Sequence, residues 1–143
     1  MLFHHILVAV DGSKQSNKAL EKAVKLTERE TAAKLTALHV LNLAPLVAGD
    51  LIFTPQDAIR NLLQEKAEKL VEETRGKISH LPYAEVSLVQ GYPAKAILEV
   101  AEKTNCDLIV LGSRGLGPIR EFVLGSVSHN VVQNAKIPVL VVK

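Results

Sequence analysis

Two residues separate Gly112 from Gly115, and nine more separate Gly115 from Gly125, which Ser126 follows directly. Glycine tolerates the φ > 0 turns that leave backbone N–H groups unpaired, and Gly117 adds a third glycine to the start of this loop. The apolar run Leu108–Leu111 precedes it and is long enough for a strand buried on both faces. Pro118 can start a helical turn, Gly125 interrupts it, and from Ser126 the pattern is helical, with Val127, Val131 and Ala135 on one face. Strand, loop and helix would aim N–H donors, a helix N-terminus and the hydroxyls of Ser126 and Ser128 at one place. That chemistry suits an anion, above all a phosphate chain. Two commoner phosphate motifs do not fit. A Walker A loop needs Gly-Lys followed by Ser or Thr, whereas Gly117 is followed by Pro118 and Ile119. A dinucleotide fingerprint starting at Gly115 needs Gly or Ala at position 120, which is Arg120.

A carboxylate reaches the same region from the other end of the chain. The apolar run Ile6–Val10 closes in Asp11-Gly12-Ser13, and Asp11 either caps the following helix or faces a ligand; the two roles are compatible. Arg114 is either a solvated loop cation or a phosphate contact, and Ser126 and Ser128 also fit as helix caps. Val40 is either core or an apolar wall for a ligand. The lone Cys106 excludes an intrachain disulfide, suits a reducing compartment and packs at the entrance to the Leu108–Leu111 strand. His4, His5, His39, His80 and His129 show no metal-ligand spacing, and the adjacent His4 and His5 point to opposite faces of a strand. No structural metal is expected.

The elements that must position these residues alternate along the chain. Ile6–Val10 reads as a central parallel strand, followed by a helix that Ser13 or Ser16 caps and that Ala19, Leu20, Ala23, Val24 and Leu26 make amphipathic. Lys34–Leu41 is a second strand. The stretch 42–54, with Pro45 and Gly49, reads as a loop. Pro55 suits helix position N1, and the helix behind it runs to about Ile78 on an apolar stripe of Ala58, Ile59, Leu62, Leu63, Ala67, Leu70 and Val71. Val86–Gln90 is a short edge strand. Gly91-Tyr92-Pro93 opens a helix over Ala94–Thr104, and Pro138 starts a last strand, Val139–Val142. Five strands with four helical segments predict one α/β domain over residues 1–143. Its doubly wound parallel sheet should have the order 3-2-1-4-5, with helices on both faces. In such sheets ligands bind beyond the carboxyl ends of the strands, where strand order reverses. The strands ending at Asp11 and Gly112 are the two that flank that point.

Composition narrows the function classes. The 143 residues are 48% hydrophobic and 22% charged, which is ordinary for a soluble domain, and only 3% aromatic, so the core must be Val, Leu, Ile and Ala. A net charge of +2 and so few stacking side chains argue against nucleic acid as a partner. The N-terminal apolar run is too short for a secretory signal and nothing approaches a transmembrane length, so no membrane role and a cytoplasmic location are expected.

The glycine spacing, the Ile-Leu-Val-Ala-Val-Asp-Gly-Ser opening at 6–13, Leu-His-Val at 38–40, Gly-Tyr-Pro-Ala at 91–94 and the closing Ile137-Pro-Val-Leu-Val-Val resemble the universal stress protein family over the whole chain. The resemblance implies a sheet of the adenine-nucleotide alpha-hydrolase-like type and an intracellular, usually dimeric protein. Because the glycine motif is kept in full, it also implies an ATP binder. Carried over by position, Ala9, Val10 and Asp11 would face the nucleotide from the first strand, with Asp11 near the ribose and any bound metal. Val40 would lie against the adenine. Gly112, Ser113, Arg114, Gly115, Gly117, Gly125, Ser126, Val127 and Ser128 would line ribose and phosphates. Magnesium or manganese would arrive with the phosphates. Ala9-Val10 stand where the best-known ATP-binding members carry proline and a hydroxyl residue, which bears on affinity more than on backbone contacts to adenine.

Hydrolysis would need a positioned water and charge stabilisation, and the sequence offers Asp11 with the cations Arg114, Arg120 and Lys14 but no evident base beside the loop. The expected role is a nucleotide-dependent regulatory or stress-response module acting on an unknown protein partner. A slow ATPase or phosphotransferase at the same site is one alternative, and a nucleotide-independent interaction module is another. Pro138–Val142, apolar on both faces at an outer position, is expected to pair two copies into a homodimer.

Overall fold

The computed structural model describes residues 2–30, 32–44, 46–53, 56–114 and 124–143. In chain order these form β1 (His5–Ala9), α1 (Lys14–Arg29), β2 (Lys34–Leu41), β3 (Leu46–Ala48), β4 (Leu51–Phe53), α2 (Asp57–Ile78), β5 (Ala84–Gln90), α3 (Pro93–Lys103), β6 (Leu108–Gly112), α4 (Ser126–Asn134) and β7 (Val139–Val142). The main sheet runs β5-β2-β1-β6-β7 with every pairing parallel. With the β3–β4 hairpin set aside, this is the expected 3-2-1-4-5 order. No helix among the described residues is long and apolar enough to cross a membrane.

Strand periodicity divides the core in two. Side chains alternate across a strand, so Ile6, Val8, Leu35 and Val110 pack with Ala19, Leu20 and Ala23 of α1 and Ile78 of α2. Leu7, Leu38 and Ile109 pack on the other face with Ile97 of α3 and Val131 of α4. Ile6, Leu7 and Val8 are each 0% exposed. Covering on both faces is why β1 reads as an unbroken apolar run rather than an alternating one.

Several boundaries differ from the sequence expectation. The stretch 42–54 contains the antiparallel β3–β4 hairpin, turned by Gly49 at φ +62° and Asp50, a two-residue connection that requires positive φ. α2 starts at Asp57 behind Gln56, and Pro55 lies outside the described residues. The apolar stripe of α2 is buried only at Ala67, Val71 and Ile78, whereas Ile59 and Leu62 are each 51% exposed. Length explains this. The 22 residues of α2 span about 33 Å, whereas the seven of β5 span about 23 Å, so the helix overshoots the sheet. β5 begins two residues earlier than predicted but keeps its edge position, and β6 extends through Gly112.

The amino end of the sheet is tied by one carboxylate. Asp107 accepts the backbone N–H groups of His4 and His5 at 2.7 and 3.0 Å and contacts His4 Nδ1 at 3.2 Å, while its own N–H donates to the His5 carbonyl. The His5 ring turns elsewhere, to Thr36 Oγ1 at 2.8 Å. Partial burial disfavours the Asp107 anion, but the His4 and His5 donors outweigh it and hold its pKa below the usual carboxylate value. A carboxyl whose folded pKa is depressed stabilises above its unfolded pKa of about 3.9 and loses that contribution as pH falls through the lower folded value. Asp107→Asn should therefore lower Tm at pH 7 by roughly 3–5 °C, taking about 1 kcal/mol for a charged hydrogen-bond acceptor that is partly screened. The gap should shrink as pH falls below the ordinary carboxylate pKa; a gap of constant size in thermal unfolding from neutral to acid pH would refute the assignment.

Candidate functional site

A cleft of about 430 Å³ opens over the carboxyl ends of β1, β2 and β6, and α4 begins at its rim. That volume falls in the range of small-molecule sites. Ala9, Val10 and Asp11 line it from the end of β1, and Val40 does so from β2. Gly112 and Arg114 follow from β6, and Gly125, Ser126, Val127 and Ser128 from the start of α4. The fold thus brings together ten of the thirteen residues expected from sequence (Ala9 through Ser128 as just named). Gly115 and Gly117 lie outside the described residues. Ser113 is buried and does not line the cleft. Leu38, His39, Pro93, Ile97 and Ser16 do line it and were not expected. Leu38 and His39 adjoin Val40 in the sequence, but proximity could not have flagged Pro93 and Ile97, which reach the cleft only through the α3 crossover.

Asp11 is held by a chain of local bonds. Its N–H donates to Ser16 Oγ at 2.9 Å and its Oδ1 accepts the Ser13 N–H at 2.9 Å. Ser13 Oγ in turn accepts the Ser16 N–H at 3.2 Å and caps α1, which settles the choice between the two serines. Gly12 sits between them at φ +85°, where a side chain would be strained. The carboxylate therefore serves the turn and the cleft together.

The glycine loop is closed by Ser113. Its N–H donates to the Val142 carbonyl at 2.8 Å, and its carbonyl accepts the Gly125 N–H and the Ser128 hydroxyl, both at 2.8 Å. This clasp pins the two ends of the 114–124 segment. It also corrects two expectations. Ser128 lines the cleft, but its hydroxyl donates to the carbonyls of Ser113 and Gly125, so it does not cap α4. Ser126 is not the cap either. Gly125 occupies that position at φ −61° with no side-chain bond, so among the described residues the first N–H groups of α4 have no side-chain acceptor beside the cleft. Such a terminus attracts anions.

Gly112 departs from the expectation that it serves a φ > 0 turn. It is a strand residue paired with Val142, and a Cβ built there would lie 2.7 Å from Gln15 Cβ and 2.8 Å from the Gln15 backbone carbon. Glycine is needed because α1 approaches this closely.

The lining divides by chemistry. Leu38, Val40, Pro93 and Ile97 form an apolar wall, while Asp11 and Arg114 carry the formal charges among the described lining residues. The wall also has a backbone edge. Val10 N–H bonds the Leu38 carbonyl at 2.9 Å, and Leu41 bonds toward β5 through Gly91. Peptide groups alternate sides along a strand, so the N–H and C=O of Val40 face the β1 side, beyond the last β1–β2 pair, Ala9↔Leu38. Among the described residues no group of three His, Cys, Asp or Glu could hold a metal ion.

A family model described as "Universal stress protein family" matches residues 2–143. "Universal stress protein YxiE" of Bacillus subtilis is 39% identical over 149 residues, covering 99% of this chain and 100% of its own. The fold is similar to that of universal stress protein UspA from Lactobacillus plantarum, with a TM-score of 0.83, 27% identity and coverage of 98% of this chain and 97% of that one. A universal stress protein solved in complex with cAMP shares the fold at a TM-score of 0.74 and 24% identity, covering 100% and 99% of the two chains.

The packing at Gly112 is open to a direct check. Gly112→Val should force α1 away from β6 and cost about 1–3 kcal/mol, seen as a lower denaturant midpoint with an unchanged m-value. Wild-type stability in that variant would show that the close approach to Gln15 carries no weight.

Proposed function

Because the chain belongs to the universal stress protein family, we propose that its cleft binds ATP and that occupancy, rather than turnover, is what the protein uses. The observation that carries this is the meeting, in one cleft, of an apolar wall, a braced carboxylate and an uncapped helix N-terminus. The adenine packs on Val40, whose N–H and C=O offer a donor and an acceptor to the N1 and N6 edge of the base. Asp11 faces the ribose. The phosphates run along Gly112, Arg114, Gly125, Ser126 and Val127, with Gly115 and Gly117 completing the loop. Ser113 and Ser128 hold the ends of the loop together, and Ser128 also lines the cleft. A similar fold solved with cAMP supports an adenine nucleotide as the ligand class. The Asp11 carboxylate is a hard oxygen donor of the kind magnesium or manganese takes when it arrives with phosphates.

Turnover is slow in this reading. Among the described lining residues the titratable side chains are Asp11, His39 and Arg114, and His39 Nδ1 is already engaged with the Val10 carbonyl at 2.8 Å. In this reading neither Asp11 nor His39 serves as the base for an attacking water, because Asp11 Oδ1 accepts the Ser13 N–H and His39 is tied to the Val10 carbonyl on the adenine side, away from the phosphates, and orientation is much of what phosphoryl transfer requires. The unit acts in the cytoplasm, where nucleotide occupancy biases the surface shown to a protein partner. β7 forms an outer edge with Leu140 37% exposed, and pairing of two such edges about a two-fold axis would cover both.

Denaturing the purified protein should release adenine nucleotide, or titration with ATP should show binding. In single-turnover assays with excess protein and magnesium, bound ATP should survive for minutes. No binding sinks the nucleotide reading, whereas a rate near one per second that is lost in Asp11→Asn identifies an ATPase instead. Val141→Lys should shift sedimentation from dimer toward monomer; an unchanged dimer places the interface elsewhere.

A further inference from the structure

β1 stops pairing one residue earlier than its geometry allows. In a parallel ladder, a residue whose N–H bonds to residue j−1 of its neighbour offers its carbonyl to the N–H of residue j+1. Val10 N–H bonds the Leu38 carbonyl at 2.9 Å, so the Val10 carbonyl stands where the Val40 N–H would take it. It lies instead 2.8 Å from Nδ1 of His39. A carbonyl can only accept, so Nδ1 carries the proton and donates. The β1–β2 register accordingly ends at Ala9↔Leu38, although β2 continues beside β5 as far as Leu41↔Gln90. β5 cannot receive the Val40 N–H, because the residues that bond β5 are the alternate ones, as Leu35 does with the Tyr83 carbonyl and Leu41 with the Gly91 N–H.

We infer that His39 is a positioning residue for the cleft: its imidazole occupies the Val10 carbonyl and so reserves the Val40 N–H for a ligand. The role rests on the reading that the cleft holds an adenine nucleotide, whose base would meet that N–H. A half-buried backbone donor without a protein partner is costly unless something pairs with it, and a cleft-lining position makes a ligand that partner. Leucine or phenylalanine at 39 would fill similar volume but leave the Val10 carbonyl to close the ladder on Val40.

Amide hydrogen exchange followed by NMR tests this. In the ligand-free wild type, the Val40 amide should exchange at least about tenfold faster than that of Leu38, which sits in the paired part of the ladder and is 1% exposed. This comparison needs no variant. ATP should slow Val40 exchange. In His39→Leu, Val40 should become protected without ligand and ATP affinity should fall roughly 3- to 12-fold, as expected for one hydrogen bond. His39→Asn, which keeps a donor near the Nδ1 position, should stay close to wild type in both readouts. A Val40 amide as slow as Leu38 in the free wild type overturns the inference. So does an affinity loss in His39→Leu with Val40 exchange unchanged, since His39 would then touch the ligand directly. Wild type that shows the exchange pattern but binds no ATP would sink the nucleotide reading while leaving the strand-ending role of His39 in place.

Discussion

The pairing of β1 on both sides is the constraint from which the remaining geometry follows. Ile6, Leu7 and Val8 hydrogen-bond to β2 on one side and β6 on the other, and both of their faces are covered. A parallel strand can be flanked this way only if its connections cross over the faces of the sheet. The chain therefore leaves β1 toward β2 in one direction and reaches β6 from the other. Those departures open a crevice at the carboxyl end, and the cleft lies there.

What fills the crevice is a set of strand endings, each closed differently. β1 ends in a turn whose serines and carboxylate satisfy one another. β6 ends at a glycine so that α1 can approach, and Ser113 then ties the loop to both β7 and α4. β2 ends with its outermost peptide group facing the ligand space. Among the described residues, backbone groups at these endings converge on one volume beside the first turn of α4, an arrangement suited to an anion. Such groups bind negative charge without moving protons.

The two edges of the sheet differ in how they are managed. β5 carries an alternating pattern suited to one covered face, and α2 lies over it for only part of its own length. β7 is short and aliphatic, with Leu140 turned outward. An aliphatic edge is where self-association is cheapest to build and hardest to avoid.

Much of this was legible in the sequence. The unbroken apolar runs at 6–10 and 108–111 were legible as central parallel strands, and Gly112 and Gly125 mark the end of β6 and the start of α4. The alternation of elements determined the sheet order, because parallel crossovers leave few topologies. Residue type alone did not determine what each site residue does. Gly112 was expected to turn the chain, but a neighbouring helix backbone is what forbids a Cβ there. The Ser128 hydroxyl, a candidate helix cap by sequence, instead bonds the Ser113 carbonyl, fifteen residues away in the chain. Pro93 and Ile97 enter the cleft through a crossover that no local pattern records. Periodicity and spacing are local and survive in one dimension; which hydroxyl, carbonyl or ring is left unpaired is decided only when distant strands stop beside one another.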